Sequence, residues 1–234
     1  MEIGSFEWQQ LIIDGARQLD IQLQQEHTQG FAVHALELHR WNRKMNLTAI
    51  KSPLEVAVKH YLDSILPAAF IKAGSSLLDI GSGGGFPGIP LKIIMPSLSV
   101  SMIDATRKKI SFLKHAIRIL RLNDICAVHV RLEDLIKDLN NHYKYDVITC
   151  RAFSSLRHFA MNALPLLKPD GALIALKGKD AETELKQMTA MDNGTFRMEL
   201  DKKEGSCVYL KVEVSQWNLP YLNEQRLLIT LNLC

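Results

Sequence analysis

Cysteine is scarce in this chain, and the four present (Cys126, Cys150, Cys207 and Cys234) stand far apart. No Cys-x-x-Cys occurs, so neither a zinc cage nor a disulfide framework is indicated. The histidines include no His-x-x-x-His pair, so they offer no helical metal site either. No apolar run approaches the roughly 18 residues that a membrane span needs. The opening residues, MEIGSFEWQQ, lack the basic start and apolar core of a secretion signal. Internal repeats and low-complexity tracts are absent too. Net charge is only +3, which permits a nucleic-acid partner without demanding one. These absences predict a reduced, cytoplasmic protein that crosses no membrane and holds no metal. What is there suffices for a real core: 47% of the 234 residues are hydrophobic and 23% charged, matching one domain with an added segment.

Two textures divide the chain, which predicts a helical cap over 1–70 and a second unit over 71–234. FEWQQLIIDGARQL and GFAVHALELHRWNRKM space their apolar residues at three and four, as helices do. SPLEVAVKHYLDSILPAAF adds a third helix, with Ser52 as N-cap and Pro53 at the first helical position. From residue 75 short β-rich runs alternate with amphipathic stretches. The runs SSLLDI, LSVSMID, ICAVHV, YDVITC and GALIALKG predict parallel strands, with helices beginning near Pro87, Arg107, Glu133 and Leu156. A helix, DAETELKQMTAM, then precedes SCVYLKVEVSQ and QRLLITLNL, a pair that finishes a seven-stranded sheet. The expected fold class is α/β, a doubly wound, mostly parallel sheet under an N-terminal helical cap.

The densest chemical signal is LLDIGSGGGFPG, residues 77–88, where five of the last eight residues are glycine. A strand, then glycines, then a helix N-terminus brings backbone amides against a ligand. Two registers compete. Gly83-x-Gly85-x-x-Gly88 satisfies the dinucleotide pattern but begins three residues beyond the strand. Asp79-x-Gly81-x-Gly83-x-Gly85 places an acid at the strand end, and resembles the cofactor loop of S-adenosylmethionine-dependent methyltransferases. The next strand ends in Asp104, about 20 residues on, where a carboxylate can accept from ribose hydroxyls or cap the following helix. The third ends near Leu132 and Glu133, placed to flank an adenine, or to open a helix. The fourth ends in Arg151, where such sheets bind ligands, so it can meet a cofactor carboxylate or a substrate phosphate. Phe86 and Phe153 are candidates to stack on adenine and guanine, with core packing as the other reading of Phe153. Cys150 and His60 read as packing residues.

Several stretches together resemble one family. RWNRKMNLTAI (40–50), KHYLDSILP (59–67), DIGSGGGFPGIPLKI (79–93), YDVITCRAFSSL (145–156) and LKGK (176–179) are similar to successive motifs of small-subunit ribosomal RNA methyltransferase G, also called glucose-inhibited division protein B. GFPGIPL after the glycines is the most specific of them. The resemblance implies a Rossmann-like class I methyltransferase fold and an enzyme that methylates N7 of one guanine in 16S rRNA, using S-adenosylmethionine. It implies cofactor contacts at Gly81, Phe86, Leu132 with Glu133, and Arg151, joined by Asp79, Gly83, Gly85 and Asp104 from the loop reading. Arg151 is also the expected catalytic residue, acting by orientation and charge stabilisation. Guanine N7 has a lone pair and no proton, so no general base is expected. The fourth strand agrees, since Thr149-Cys150-Arg151-Ala152-Phe153 is not the Asn-Pro-Pro-Tyr type used on exocyclic amines.

For RNA, the sequence offers a stripe. Residues 105–121 contain six Lys/Arg and no acid, and helical spacing puts Arg107, Lys114, Arg118 and Arg121 on one face. Acids at i,i+4, which usually neutralise such a face, are missing. Arg40, Arg43, Lys44 and Lys51 form a second basic patch, and Lys177 and Lys179 extend toward the strand ends. The expected partner is 16S rRNA or the small ribosomal subunit, approached by a monomer. Three rivals stay open on sequence: a nicotinamide enzyme, a methyltransferase acting elsewhere on RNA, and an RNA-binding protein with an inactive methyltransferase fold.

Overall fold

A computed structural model describes residues 1–138, 144–151, 155–178, 181–188, 195–199 and 207–234. Phe153 and Lys179 lie outside the described residues. Helix α1 (Phe6–Gln18) starts at Ser5, whose hydroxyl accepts from the Trp8 amide. Helix α2 (Gln25–Met45) stops at Asn46, which adopts the left-handed conformation that ends many helices. The third helical stretch changes pitch as it runs. It comprises α3 (Pro53–Glu55), a π-helical turn (Val56–Leu62), α4 (Asp63–Ile65) and a 3-10 turn (Leu66–Phe70). Pro53 does hold the first helical position, but the Ser52 hydroxyl makes no cap hydrogen bond.

The strands are β1 (Ser76–Ile80), β2 (Ser99–Asp104), β3 (Ile125–His129), β4 (Tyr145–Arg151), β5 (Leu167–Lys177), β6 (Thr195–Glu199), β7 (Cys207–Leu219) and β8 (Glu224–Leu233). They form one sheet in the order β3-β2-β1-β4-β5-β8-β7-β6. The first five strands are parallel, and β8, β7 and β6 join antiparallel. The sheet thus has one strand more than the seven expected. The addition is β6, a five-residue edge strand that pairs with β7.

Helices α5 (Gly88–Ile94), α6 (Arg107–Ile119), α7 (Leu132–Lys137), α8 (Leu156–Ala163) and α9 (Ala181–Met188) cover the two faces. On one face Leu77, Met102, Val147 and Ile174 pack beneath α1, α2, the π turn, α5 and α6. On the other, Leu78, Ile148, Cys150 and Leu173 pack beneath α7, α8 and α9. Trp8, Phe31 and Tyr61 are fully buried in the same cluster as Leu77, so the N-terminal helices and the sheet share one core. No helix among the described residues is long and apolar enough to cross a membrane.

The period of two along each strand sorts the site residues by face. Asp79 follows Leu77, and Arg151 follows Val147 and Thr149, so both point to the face covered by the N-terminal helices. Lys177 has the parity of Leu173 and Ala175 and points to the opposite face. Helix α2 climbs this first face. Its Gly30 lies against Ile93 near the end of α5, and its Leu38 lies against Gly84 in the glycine loop. Its C-terminal end therefore reaches the sheet edge at which the parallel strands finish.

Candidate active site

Residues 81–87 connect β1 to α5. The Gly81 and Ser82 amides both donate to the Ile103 carbonyl, at 2.9 and 3.1 Å, tying the loop to the end of β2. Gly81 and Gly83 have φ of +70° and +55°, a region that L side chains rarely adopt. A Cβ at Gly81 would meet nothing within 4 Å, so this turn leaves open space above β1. Gly88 is required for a different reason: a Cβ there would fall 2.8 Å from Asp79 Oδ2. Glycine is thus demanded by backbone conformation at the start of the loop and by close packing at its end.

Beside the loop lies a cleft of about 270 Å³, lined by Gly81, Asp104, Leu132, Glu133 and their neighbours at the ends of β1, β2 and β3. It lies on the β2 side of β1, next to the point between β1 and β4 where the strand order reverses. Doubly wound sheets bind their ligands at this crevice. Leu132 is buried and Glu133 exposed at the first turn of α7, so the pair opens a helix and also lines the cleft.

The two carboxylates expected at the cofactor are placed differently. Asp79 is fully buried; its Oδ2 accepts from the Gly88 amide at 3.0 Å, and its Oδ1 has no partner. Burial pushes its pKa up to about 6, against the opposing pull of the Gly88 amide. Asp104 has both oxygens engaged. Oδ1 accepts from the Thr106 amide at 2.8 Å, and Oδ2 from the Gly83 amide at 3.2 Å and from Lys109 at 3.3 Å. It braces the glycine loop, and Thr106, not Asp104, is the N-cap of α6.

Arg151 is held by the N-terminal helices. Its Nη1 donates to the Lys59 carbonyl at 2.9 Å and lies 3.8 Å from Asp63 Oδ2. Its Nη2 donates to His60 Nδ1 at 3.4 Å, and its guanidinium sits 5.0 Å from the centre of the Phe86 ring. The π turn makes this possible. The Asp63 amide bonds to the Val58 carbonyl, five residues back, so the Lys59 carbonyl is not taken by its usual α-helical donor. Burial lowers the Arg151 pKa, countered by the charges of Asp63 and Asp79.

Phe86 is placed otherwise than a cofactor-stacking residue. Its ring is 3% exposed, stacked on His60 at 4.4 Å and packed near His34 and Tyr61. The ring supports Arg151 from within the core. His60 is just as buried, at 2% exposed, and burial, with the charge of Arg151 second, pushes its pKa down to about 3. Cys150, on the opposite face, is 1% exposed, and burial pushes its thiol pKa far up, so it is a packing residue.

Two partners of this cluster were not singled out by sequence. Asp63 is 2% exposed, and Arg226 Nε donates to its Oδ1 at 2.5 Å. Asp63 thus lies between two guanidinium groups, which oppose the rise in pKa that burial imposes on it. KHYLDS contains the acid, but Arg226 stands 163 residues later and no local pattern joins them.

The basic residues separate in space. Arg107, Lys114, Arg118 and Arg121 are all exposed along and just beyond α6. That helix leaves the ligand edge after Asp104 and descends toward the start of β3, so at 1.5 Å per residue Arg118 and Arg121 lie roughly 15–20 Å from its upper end. Lys177 points to the face away from Arg151 and pairs with Glu184 at 3.1 Å.

A parallel sheet reversing its order at β1, with a glycine turn and acids ending β1 and β2, defines a Rossmann-like, class I S-adenosylmethionine-dependent methyltransferase. The crystal structure of a SAM dependent methyltransferase from Aquifex aeolicus shares the fold, with a TM-score of 0.51 and 14% identity, covering 80% of this chain and 96% of that one. Residues 27–215 match the family described as rRNA small subunit methyltransferase G. Ribosomal RNA small subunit methyltransferase G of Geotalea uraniireducens (strain Rf4) is 47% identical over 174 residues, 74% of this chain and 78% of its own length. The protein of the same name from Geobacter sulfurreducens is 37% identical over 224 residues, covering 96% of this chain and 97% of the relative. The chain belongs to the rRNA small subunit methyltransferase G family, and its cofactor is S-adenosylmethionine. The dinucleotide reading of Gly83, Gly85 and Gly88 is thereby set aside.

Proposed function

We propose that this enzyme transfers a methyl group to N7 of a guanine in 16S rRNA, at the position numbered 527. The observation that carries this reading is the setting of Arg151. It is a fixed cation at the ligand edge, and its nearest imidazole, His60, has a pKa of about 3 and is too weak a base to take a proton at neutral pH. A ring nitrogen with a free lone pair is an acceptor that needs no such proton removal. An exocyclic amine would favour one.

The residues present fit the cofactor. Asp79 offers an oxygen without a partner, suited to an ammonium group, and Gly81 leaves room above β1. Gly83 and Gly85 continue the turn, Asp104 holds it in place and keeps a lone pair on Oδ1 for a ribose hydroxyl, and Leu132 with Glu133 would flank the adenine side. S-adenosylmethionine supplies an electrophilic methyl on sulfonium. Displacement requires the nucleophile in line and close, so orientation and exclusion of water are the work of this chain. The charge that moves onto the guanine ring is positive, so the guanidinium of Arg151 acts by orienting the acceptor and not by neutralising that charge. Its rigid seat on Lys59, His60 and Phe86 means little reorganisation accompanies the transfer.

The exposed stripe Arg107, Lys114, Arg118 and Arg121 would contact RNA phosphates away from the reacting base, whereas Lys177, on the opposite face and paired with Glu184, is no longer a candidate. The enzyme would act as a cytoplasmic monomer, with 1–70 as the helical cap and 71–234 as the methyltransferase unit. The test is an rRNA carrying 7-deazaguanine at the target, which has carbon in place of N7. Labelled methyl transfer should vanish with that substrate and persist with guanine; equal labelling of both would end the N7 assignment.

A further inference from the structure

The motif RWNRKMNLTAI adjoins Arg151 from the side of the N-terminal helices. Asn42, near the end of α2, clamps Thr48: its Nδ2 donates to the Thr48 carbonyl at 2.8 Å, and its Oδ1 accepts from the Thr48 amide at 2.9 Å. This closes the loop after the left-handed turn at Asn46. Thr48 Oγ1 lies 2.9 Å from His60 Nε2 and accepts from the Ile50 amide at 3.0 Å. Because Arg151 can only donate, His60 Nδ1 is the acceptor in that contact, so the ring proton of the neutral imidazole sits on Nε2 and is given to Thr48. A continuous set of hydrogen bonds therefore runs from Asn42 through Thr48 and His60 to the guanidinium of Arg151.

Outside this series of hydrogen bonds lies an open cleft of about 620 Å³, lined by His39, Asn42, Arg43, Asn46, Thr48 and Lys51 among others. The size is that of ligand pockets, which run from about 300 to 1,000 Å³. No acid occurs from Leu38 to Leu54. The flanking acids face other partners: Glu37 bonds to His115 at 2.8 Å, and Glu55 to Lys59 at 2.8 Å. Arg43 and Lys51 are exposed and, among the described residues, form no ion pair. Two free cations beside amide and hydroxyl groups suit a polyanion with hydrogen-bonding bases, and an acid-free wall suits phosphate in particular. The cleft also stands at the sheet edge that α2 climbs to, whereas Arg118 and Arg121 lie at the far end of α6.

We propose that the end of α2 and the loop Asn46–Lys51 form the groove that receives the RNA strand flanking the target base. Arg43 and Lys51 hold phosphates, and Thr48 acts through His60 as a positioning residue for Arg151. This rests on the RNA reading above and specifies where that RNA lies. Loading of the groove would then be felt at Arg151 through two hydrogen bonds.

The experiment uses the full chain, deproteinised 16S rRNA and small ribosomal subunits. In a salt titration of binding to deproteinised rRNA, Arg43→Ala with Lys51→Ala should weaken affinity roughly tenfold and flatten the slope of log K against log salt by about 0.7 for each phosphate no longer neutralised. S-adenosylmethionine affinity should stay the same. Thr48→Val should lower kcat on rRNA with KM for RNA little changed, and Thr48→Ser, which keeps the hydroxyl, should restore it. An unchanged salt slope in the double variant overturns the groove. So does a loss of affinity confined to protein-bearing subunits, which would mean that an acidic protein segment occupies it. Wild-type enzyme that labels neither substrate would instead defeat the RNA reading itself, and the groove with it.

Discussion

Arg151 Nη1 and the carbonyl oxygen of Lys59 lie 2.9 Å apart, although 92 residues separate them in the chain. A strand end is thereby fastened to a π-helical turn in the N-terminal cap. Arg151→Lys keeps the charge but loses the planar fork that reaches Lys59 and His60 together. It should retain RNA and cofactor affinity while lowering kcat by roughly tenfold to a hundredfold, and Arg151→Ala should lower it further. Single-turnover rates on saturating rRNA check this, and a lysine variant as fast as wild type would remove the orienting role.

Asp79 links cofactor binding to pH. Its pKa of about 6 in the free protein stands above the ordinary 3.8 because burial disfavours the carboxylate. The sign follows for stability: the folded protein binds this proton more tightly than the unfolded chain. The group's contribution is thus most favourable below about pH 4 and is lost as pH rises through about 6. For binding the sign is opposite, because an ammonium group needs the ionised form. S-adenosylmethionine affinity should weaken as pH falls below about 6, and Asp79→Asn should be weak at every pH. Calorimetric titration from pH 5 to roughly 8 reads both curves. A wild-type affinity flat across that range would detach Asp79 from the cofactor.

Gly83 has φ of +55° with no atom closer than 3.8 Å to where a Cβ would lie. Strain, not a clash with the protein, is therefore what a β-branched residue would introduce. Gly83→Val should abolish cofactor binding while the protein stays folded, with a melting temperature within several degrees of wild type. Unchanged cofactor affinity in the calorimeter would contradict the register of the loop.

The stripe on α6 is separable from chemistry because its outer residues lie far from the cleft. Arg118→Ala with Arg121→Ala should raise KM for rRNA and reduce its salt dependence by about 0.7 to 0.9 per phosphate released, leaving kcat and cofactor affinity in place. Normal methylation at both low and high salt would show that this helix carries no RNA.

The parallel strands and the glycine turn were legible in the sequence because each follows from a local pattern: apolar runs bounded by turns, and glycine at successive backbone constraints. Other features depend on distance or on small changes of pitch. A π turn adds one residue to a helical repeat, so the spacing of apolar residues over 56–62 still reads as a plain helix. The pairing of Asp63 with Arg226 joins the cap to the last strand, and residue types cannot announce it. Phe86 shows a third limit. An aromatic beside a glycine loop suits either a ligand or the packing behind it, and only burial distinguishes the two. The acid-free run 105–121 was visible, but its descent away from the ligand edge required the topology.

The central claim is methyl transfer without a general base, and the pre-steady-state rate tests it most directly. The rate is recorded with S-adenosylmethionine and rRNA both saturating, from mildly acidic to mildly alkaline pH. Saturation removes the binding titration of Asp79, and His60, with a pKa of about 3, stays neutral throughout. A general base would contribute about 10²–10⁴-fold and leave its own titration in the rate. The account predicts a nearly flat profile for wild type, and for His60→Asn a slower but equally flat one. A rate that climbs about tenfold per pH unit near neutrality, and loses that climb when His60 is replaced, would mean that a proton is removed in the step. The acceptor would then be an exocyclic amine or a ring N–H, not N7.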